Sequence, residues 1–256
     1  MKLNAYRESE AEQERIQNLF NLINDGECAL DIGARDGYLS IRLTNHFSNV
    51  TALDLVLPRI NNPRITCVQG NICSLPFHNR SFDLVLCTEV LEHIPTHLLT
   101  QACNEISRVS RKHILIGVPY DQDIRLGRST CYTCGKKNPP WGHVNSFKTD
   151  SLTSLFPRLF VEQVSFVGKR GGKTNILSTL LMDLAGNPYG SYTQDECCIY
   201  CDSKLKVPPK RNLLQKIATR SAVTLNKIQA QFTTYSANWI HILFSKEDSR
   251  SDRSPL

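Results

Sequence analysis

The segment Ala29-Leu30-Asp31-Ile32-Gly33-Ala34-Arg35-Asp36-Gly37-Tyr38-Leu39-Ser40 runs from an apolar strand through a tight turn into a helix. Cys28-Ala29-Leu30 leads into Asp31-Ile32-Gly33, the turn closes at Gly37, and Tyr38-Leu39-Ser40-Ile41 opens the helix. Strand, glycine turn and helix in this order make a nucleotide-type pocket. Glycine lets the backbone approach a ligand, and the first helical turn offers unpaired N–H groups to it.

The pattern continues outward on both sides. Residues 5–24 read as an amphipathic helix with Ile16, Leu19, Phe20 and Ile23 on one face, ended by Asn24-Asp25-Gly26. Apolar runs at 28–32, 50–55, 65–69, 81–87 and 113–118 read as strands, with helices expected at 38–46 and 96–109. Such alternation means a doubly wound, mostly parallel α/β sheet with helices on both faces. After residue 118 the rhythm breaks into a Pro/Gly-rich insertion, 119–148. A helix at 149–156 and a strand at 160–168 restore it, a second insertion spans 169–237, and a last strand covers 239–244. The expected organisation is therefore a seven-stranded core (1–118, 149–168 and 238–246), a cover made of the two insertions, and a charged, disordered tail at 247–256.

Bulk properties narrow the setting. The 256 residues suffice for one domain with insertions, and a net charge of +6 permits a polyanionic partner without demanding one. No apolar run is long enough for a transmembrane segment, and the polar first residues suit neither a signal nor a transit peptide, so the expected location is cytoplasmic. In that compartment ten cysteines point to metal ligation rather than disulfides. Cys28, Cys67, Cys73, Cys87 and Cys103 stand singly in apolar surroundings and read as small buried hydrophobes.

Four motifs taken together resemble the class I S-adenosylmethionine-dependent methyltransferases, in particular the broad small-molecule group called type 11. They are the residues 30–37, Asp54 at the end of the second strand, Gly70-Asn71-Ile72, and the run from Phe82-Asp83-Leu84-Val85 to Glu89-Val90-Leu91-Glu92-His93-Ile94. The resemblance implies a Rossmann-like sheet and S-adenosylmethionine as cofactor. It implies that Asp31, Gly33, Ala34 and Gly37 surround the methionine part. Asp54 then serves the ribose and Asn71 and Ile72 the adenine, with Leu55, Thr88 and Glu89 among the cofactor-binding residues. A carboxylate suits the ribose because it accepts from both hydroxyls at once. Two positions depart from the family. Arg35 stands where a middle glycine is usual, at a cost of about 1 kcal/mol if its φ is positive. Asn71 stands where an acid is common. A dinucleotide site is disfavoured, since Gly-x-Gly-x-x-Gly is absent and Arg35 occupies backbone that a pyrophosphate needs bare. The run Gly168-Lys169-Arg170-Gly171-Gly172-Lys173-Thr174 imitates a phosphate loop but has Val167 where the motif needs glycine, so it reads as a hinge.

Cys131-Tyr132-Thr133-Cys134-Gly135 has zinc-knuckle spacing, and Cys198 with Cys201 forms a second such pair. Sixty-three residues separate Cys134 from Cys198, which is long for one module. The fold supplies the reason: both insertions follow parallel strands and leave the same carboxyl edge of the sheet, where ligands bind. One structural zinc held by Cys131, Cys134, Cys198 and Cys201 would clamp them, with Cys197 as a substitute ligand.

Methyl transfer needs an aligned donor and acceptor, a dry site and a base for the acceptor proton. The candidate bases are His93 and His143. Glu89, Glu92, His93 and His143 also resemble the divalent-metal set of ubiquinone-pathway O-methyltransferases and small-RNA 2′-O-methyltransferases. A metal there would lower the pKa of a bound hydroxyl. A metal-free pocket stands as the heavier alternative. The expected acceptor is a small molecule or a glycan or lipid-linked compound, methylated on oxygen. A zinc-containing RNA-binding or RNA-modifying protein on the same scaffold is the other reading. Between 202 and 232, Lys204, Lys206, Lys210, Arg211, Lys216, Arg220 and Lys227 face only Asp202. Leu214, Ile217, Ser221, Leu225, Ile228 and Phe232 follow helical spacing there. The expectation is an amphipathic helix packed on the domain, with a basic face that is either solvated or, over 210–232, docked on an anionic surface at the membrane periphery.

Overall fold

A computed structural model describes residues 7–170, 172–194 and 196–247. Its main sheet has seven strands: β1 (Gly26–Ile32), β2 (Phe47–Asp54), β3 (Ile65–Gln69), β4 (Phe82–Thr88), β5 (Ser110–Pro119), β8 (Phe160–Val167) and β9 (Trp239–Ser245). The order is β3-β2-β1-β4-β5-β9-β8. The first five are parallel, while β9 runs antiparallel to both β5 and β8. β8 is therefore parallel to β5, and the chain leaves both at the same carboxyl edge.

Period-two alternation divides the strands between two cores. Leu30, Ile32, Val85, Cys87, Ile114, Ile116, Ile240 and Ile242 join the cluster beneath α3 (Leu99–Val109) and α4 (Thr149–Thr153). Ala29, Leu84, Leu86, Leu115 and Leu243 join Leu19, Leu22 and Leu43 of α1 (Glu10–Asn21) and α2 (Tyr38–Leu43) with its flank. Cys87 and Cys103 are buried, as their reading as small buried hydrophobes expects, while Cys28, Cys67 and Cys73 are only half-buried, packed at the margins of the two cores.

Helix bounds are tighter than the periodicity suggests. α1 begins after Ser9, whose hydroxyl accepts from the Glu12 N–H. α3 follows a single 3₁₀ turn at Thr96–Leu98, and α4 stops at Thr153. Apolar periodicity persists beyond a helix end, because the chain after the cap still packs on the core. The expected tail falls outside the described residues from 248 onward.

The first insertion contains a short antiparallel pair, β6 (Ser129–Thr130) and β7 (Lys137–Asn138). The second contains α5 (Ile176–Leu184) and α6 (Leu213–Ala230). No helix among the described residues is long and apolar enough to cross a membrane.

The basic helix forms, with Asn212 and Gln215 making a reciprocal capping box, but its orientation corrects the expectation. Leu214, Ile217, Ile228 and Phe232 are exposed, and the buried side is Ala218, Thr219 and Ala222. Helical spacing identifies an apolar stripe; it does not say which stripe meets the body. Here small residues win, because they allow close approach of α5.

Ile116 is fully buried and Leu180 of α5 is 60% exposed. Ile116→Ala should therefore cost about 2–5 kcal/mol in urea unfolding and Leu180→Ala no more than about 0.5 kcal/mol. Equal costs would contradict the outward placement of Leu180.

Candidate functional site

The carboxyl edge of β1, β2 and β4 collects most of the expected residues. At the end of β1 the chain turns at Gly33, with φ of 81°, where a Cβ would lie 2.4 Å from Val90 Cγ2. Gly37 has φ of 81°, and a Cβ there would meet Ile60 Cδ1 at 2.3 Å. Both glycines are thus required by backbone angle and by space. The loop between them is fastened to β2. The N–H groups of Gly33 and Ala34 donate to the Leu53 carbonyl at 2.8 and 3.1 Å. The Arg35 N–H donates to Asp54 Oδ2 at 2.8 Å.

Arg35 has φ of 48°, so the departure from glycine is accommodated in the left-handed region, with the Asp54 bond holding it there. Beneath the loop, Asp31 accepts from the Ser40 hydroxyl at 2.5 Å. Burial pushes its carboxyl up to about 6. Beyond Asp54, Leu55, Val56 and Leu57 are 66%, 76% and 50% exposed, an apolar shelf beside a carboxylate. Ile72 is buried, while the Asn71 side-chain oxygen accepts from the Cys73 N–H at 2.9 Å.

At the end of β4, Thr88 is buried and Glu89 takes a φ of 56°, its N–H donating to the Gly117 carbonyl. Burial raises the Glu89 carboxyl, against the pull of Arg15. The Glu89 side chain bonds to Trp239 and feels the Arg170 charge. Arg15 reaches this place from α1, where Glu12 holds it by two bonds of 2.8 and 2.6 Å.

Glu92 is fully buried, and neither carboxyl oxygen has a hydrogen-bond partner among the described residues. Burial, followed by the nearby Glu89 charge, raises its carboxyl well above the usual range. His93 and His143 meet edge to face, ring centres 4.6 Å apart. Burial and then the neighbouring ring lower His143 to about 3, and burial also lowers His93, so both are neutral at pH 7. His143 Nδ1 lies 2.6 Å from Gln122 Oε1. A carbonyl oxygen only accepts, so Nδ1 carries the hydrogen and Nε2 keeps its lone pair.

The segment bearing His143 is fixed by backbone bonds. Val144 and Asn145 N–H groups donate to the Glu92 carbonyl, and Asn145 Nδ2 donates to the carbonyls of Leu91 and Ile94. Ligand atoms of Glu92, His93 and His143 come within 4.8 Å of one another; Glu89 is not of this group. Gln122, Asn145 and Arg15 are contributors that the linear sequence does not signal, since each acts through proximity made only by folding.

The four cysteines converge. Cys131 Sγ lies 3.7 Å from Cys201 Sγ, and Cys134 Sγ 3.6 Å from Cys198 Sγ. All four sulfurs lie within 4.8 Å, and Cys197 is not among them. The two turns are twins. In each, the N–H of the residue after the second cysteine (Gly135, Asp202) donates to the carbonyl of the first (Cys131, Cys198), at 2.8 and 2.9 Å. In each, the first cysteine N–H donates to a carbonyl beyond the turn, Lys136 or Ser203, at 2.9 Å. Gly135 has φ of 74° and Asp202 of 55°. Backbone N–H groups of Cys134 and Thr133, acting on the sulfur, lower the Cys131 thiol to about 6.

Further bonds join the insertions. The Thr130 N–H donates to the Tyr192 hydroxyl, and the Ile199 N–H to Asn138 Oδ1. The Trp141 N–H donates to Gln194 Oε1 at 2.7 Å, and Glu196 packs beside Gly142. The second insertion thereby reaches the histidine pair.

Asp202→Gly would copy the twin turn and remove a left-handed side chain. It should raise stability by about 1 kcal/mol in denaturant titration; a loss would contradict the equivalence of the two turns.

Residues 30–115 match the family model described as a methyltransferase domain. The chain is 30% identical over 112 residues to a ubiquinone biosynthesis O-methyltransferase of Rickettsia bellii, over 40% of this chain and 45% of that one. It thus spans less than half the length of that relative. Among solved structures, the YcgJ protein of Bacillus subtilis superposes with a TM-score of 0.55 at 14% identity, covering 91% of this chain and 98% of the other. The N-methyltransferase NodS of Bradyrhizobium japonicum, solved with S-adenosyl-L-homocysteine, gives a TM-score of 0.53 at 15% identity, covering 95% and 91%. The chain therefore has the Rossmann-like fold of class I methyltransferases, with its methyltransferase-domain match lying across β1 to β5.

Proposed function

We propose that this chain is an S-adenosylmethionine-dependent methyltransferase acting on an oxygen of a small molecule or of a glycan or lipid-linked acceptor, beneath a cover held by one structural zinc. The observation that carries the reading is the Asp54 carboxylate, locked to the glycine loop through Arg35 and flanked by the exposed shelf of Leu55, Val56 and Leu57. A carboxylate that accepts from both hydroxyls of a ribose diol, beside bare apolar surface for a purine, is what such a cofactor requires. Gly33, Ala34 and Gly37 would lie against the methionine part, with Asp31 below. When bound, the cofactor supplies an electrophilic methyl group. His143, with Nδ1–H committed to Gln122, offers Nε2 as acceptor of the substrate proton. His93 stands beside it, and the segments around Trp141 and Gln194 exclude water.

A divalent metal on Glu92, His93 and His143 is the alternative use of the same residues: His143 Nε2 has one lone pair, so it either takes the substrate proton or ligates the metal. The two unpartnered, fully buried oxygens of Glu92 favour it, because such a carboxyl is costly unless it is protonated or bound to a cation. Two neutral imidazoles adjacent to it complete a suitable ligand set. A metal there would polarise an acceptor hydroxyl.

For zinc the fit is geometric. Tetrahedral zinc with Zn–S near 2.3 Å requires sulfurs about 3.8 Å apart, and the pairs stand at 3.7 and 3.6 Å. Four thiolates leave no open coordination position, so the role is structural.

Isothermal titration should show S-adenosylmethionine binding that Asp54→Ala weakens by roughly 10- to 100-fold, the loss expected for a charge-assisted hydrogen bond. Absence of heat at millimolar cofactor would sink the enzyme reading. Metal analysis of the purified protein should give about one zinc per chain. Cys134→Ser should lose it and open residues 119–148 and 169–237 to protease together; zinc-free wild-type protein, or an unchanged digest, would refute the clamp.

A further inference from the structure

α5 and α6 form an antiparallel hairpin. At one end Thr174 and Asn175 bond to Asn226 and Gln229, and at the other Gly186 approaches Gln215. The hairpin is inverted with respect to water. On α5 the buried residues are Ser178 and Thr179, while Ile176, Leu177, Leu180 and Leu184 are 71%, 56%, 60% and 69% exposed. Positions 176, 180 and 184 recur every fourth residue and make one face, with 177 at its margin. On α6 the buried residues are Ala218, Thr219 and Ala222. Leu213, Leu214, Ile217 and Ile228 point outward, and Phe232 beyond the helix is 83% exposed. A partly open cavity of about 490 Å³ lies between the helices and the loop at 125–128, with Lys227 among its lining residues.

Beside the apolar face of α6 lies a cationic one. Lys216, Arg220 and Lys227 are exposed and share one flank at 100° per residue. Across 202–232 seven cations face one acid, Asp202. An apolar stripe edged by lysine and arginine fits an interface with hydrocarbon on one side and anionic groups at its border. Self-association through this face would bring like charges together, which disfavours a second copy as the occupant.

We infer that the α5–α6 hairpin docks the protein on anionic lipid bilayers. The apolar face enters the headgroup region and Lys216, Arg220 and Lys227 contact the lipid phosphates. This goes beyond the methyltransferase reading and does not depend on it.

Vesicle co-sedimentation with the full chain as purified tests it. The probes are vesicles of phosphatidylcholine alone and of phosphatidylcholine with 30% phosphatidylglycerol (a composition chosen at roughly the anionic content that supports such binding). Wild-type protein should bind the anionic vesicles at least about tenfold more tightly than the neutral ones, and K216E/R220E/K227E should abolish the difference. L177D/L180D should reduce binding to the anionic vesicles by at least about tenfold while leaving circular dichroism and S-adenosylmethionine binding unchanged. The inference is overturned if wild-type protein ignores anionic vesicles or if L177D/L180D binds as well as wild type. It is equally overturned if light scattering shows a dimer that L177D/L180D dissociates, which would make the face a contact between copies.

Discussion

Four sulfurs within 4.8 Å, brought from two insertions that leave different strands, are the constraint on which the outer half of the molecule depends. The insertions have few large buried side chains of their own. The local cluster around the cysteines holds only Cys131, Tyr192, Cys198 and Leu205. So small a cluster contributes little burial to nearly a hundred residues. The proposed zinc cross-link would add to it, because metal-binding free energy is also folding free energy for the segments it joins. The two cysteine turns have matched backbone bonds, which is what the proposal of one shared zinc expects.

The inner half works differently. Its sheet is a conventional two-sided core, and strain concentrates at its carboxyl edge. Arg35 and Glu89 are both left-handed residues without the excuse of glycine, and both lie at the ends of central strands. Each is held by a backbone bond to a neighbouring element: Arg35 N–H to Asp54, Glu89 N–H to the Gly117 carbonyl. Buried acids gather at the same place, with Asp31, Glu89 and Glu92 all raised by desolvation. Unfavourable angles and unfavourable burial at one edge are what a ligand site costs, and the packed strands behind it offset that cost.

Much of this was legible from residues alone. Seven apolar runs gave seven strands because a doubly wound sheet buries its central strands on both faces. The meeting of the distant cysteine pairs followed from topology: parallel β5 and β8 end at one edge, so chain length between the pairs does not matter. What could not be read is equally specific. Helical spacing marked the stripe of Leu214, Ile217 and Ile228 but not its direction, which depends on how closely Ala218 and Ala222 let α5 approach. Nothing local to Gln122 or Arg15 announces that one fixes the tautomer of His143 and the other lies beneath Glu89. The metal-like set also changed in composition, since Glu89 bonds to Trp239 while Glu92 stays beside the histidines.

The central claim is that the cofactor lies at the carboxyl edge of β1, β2 and β4, beneath the insertions. Hydrogen–deuterium exchange with and without S-adenosylmethionine addresses it most directly. The account predicts slowed exchange in residues 33–40, 54–57, 70–72 and 88–93, and in the covering segments 141–145 and 191–194. Unchanged exchange at those segments, with protection instead around the cavity bounded by Thr174, Met182 and Val223, would contradict it.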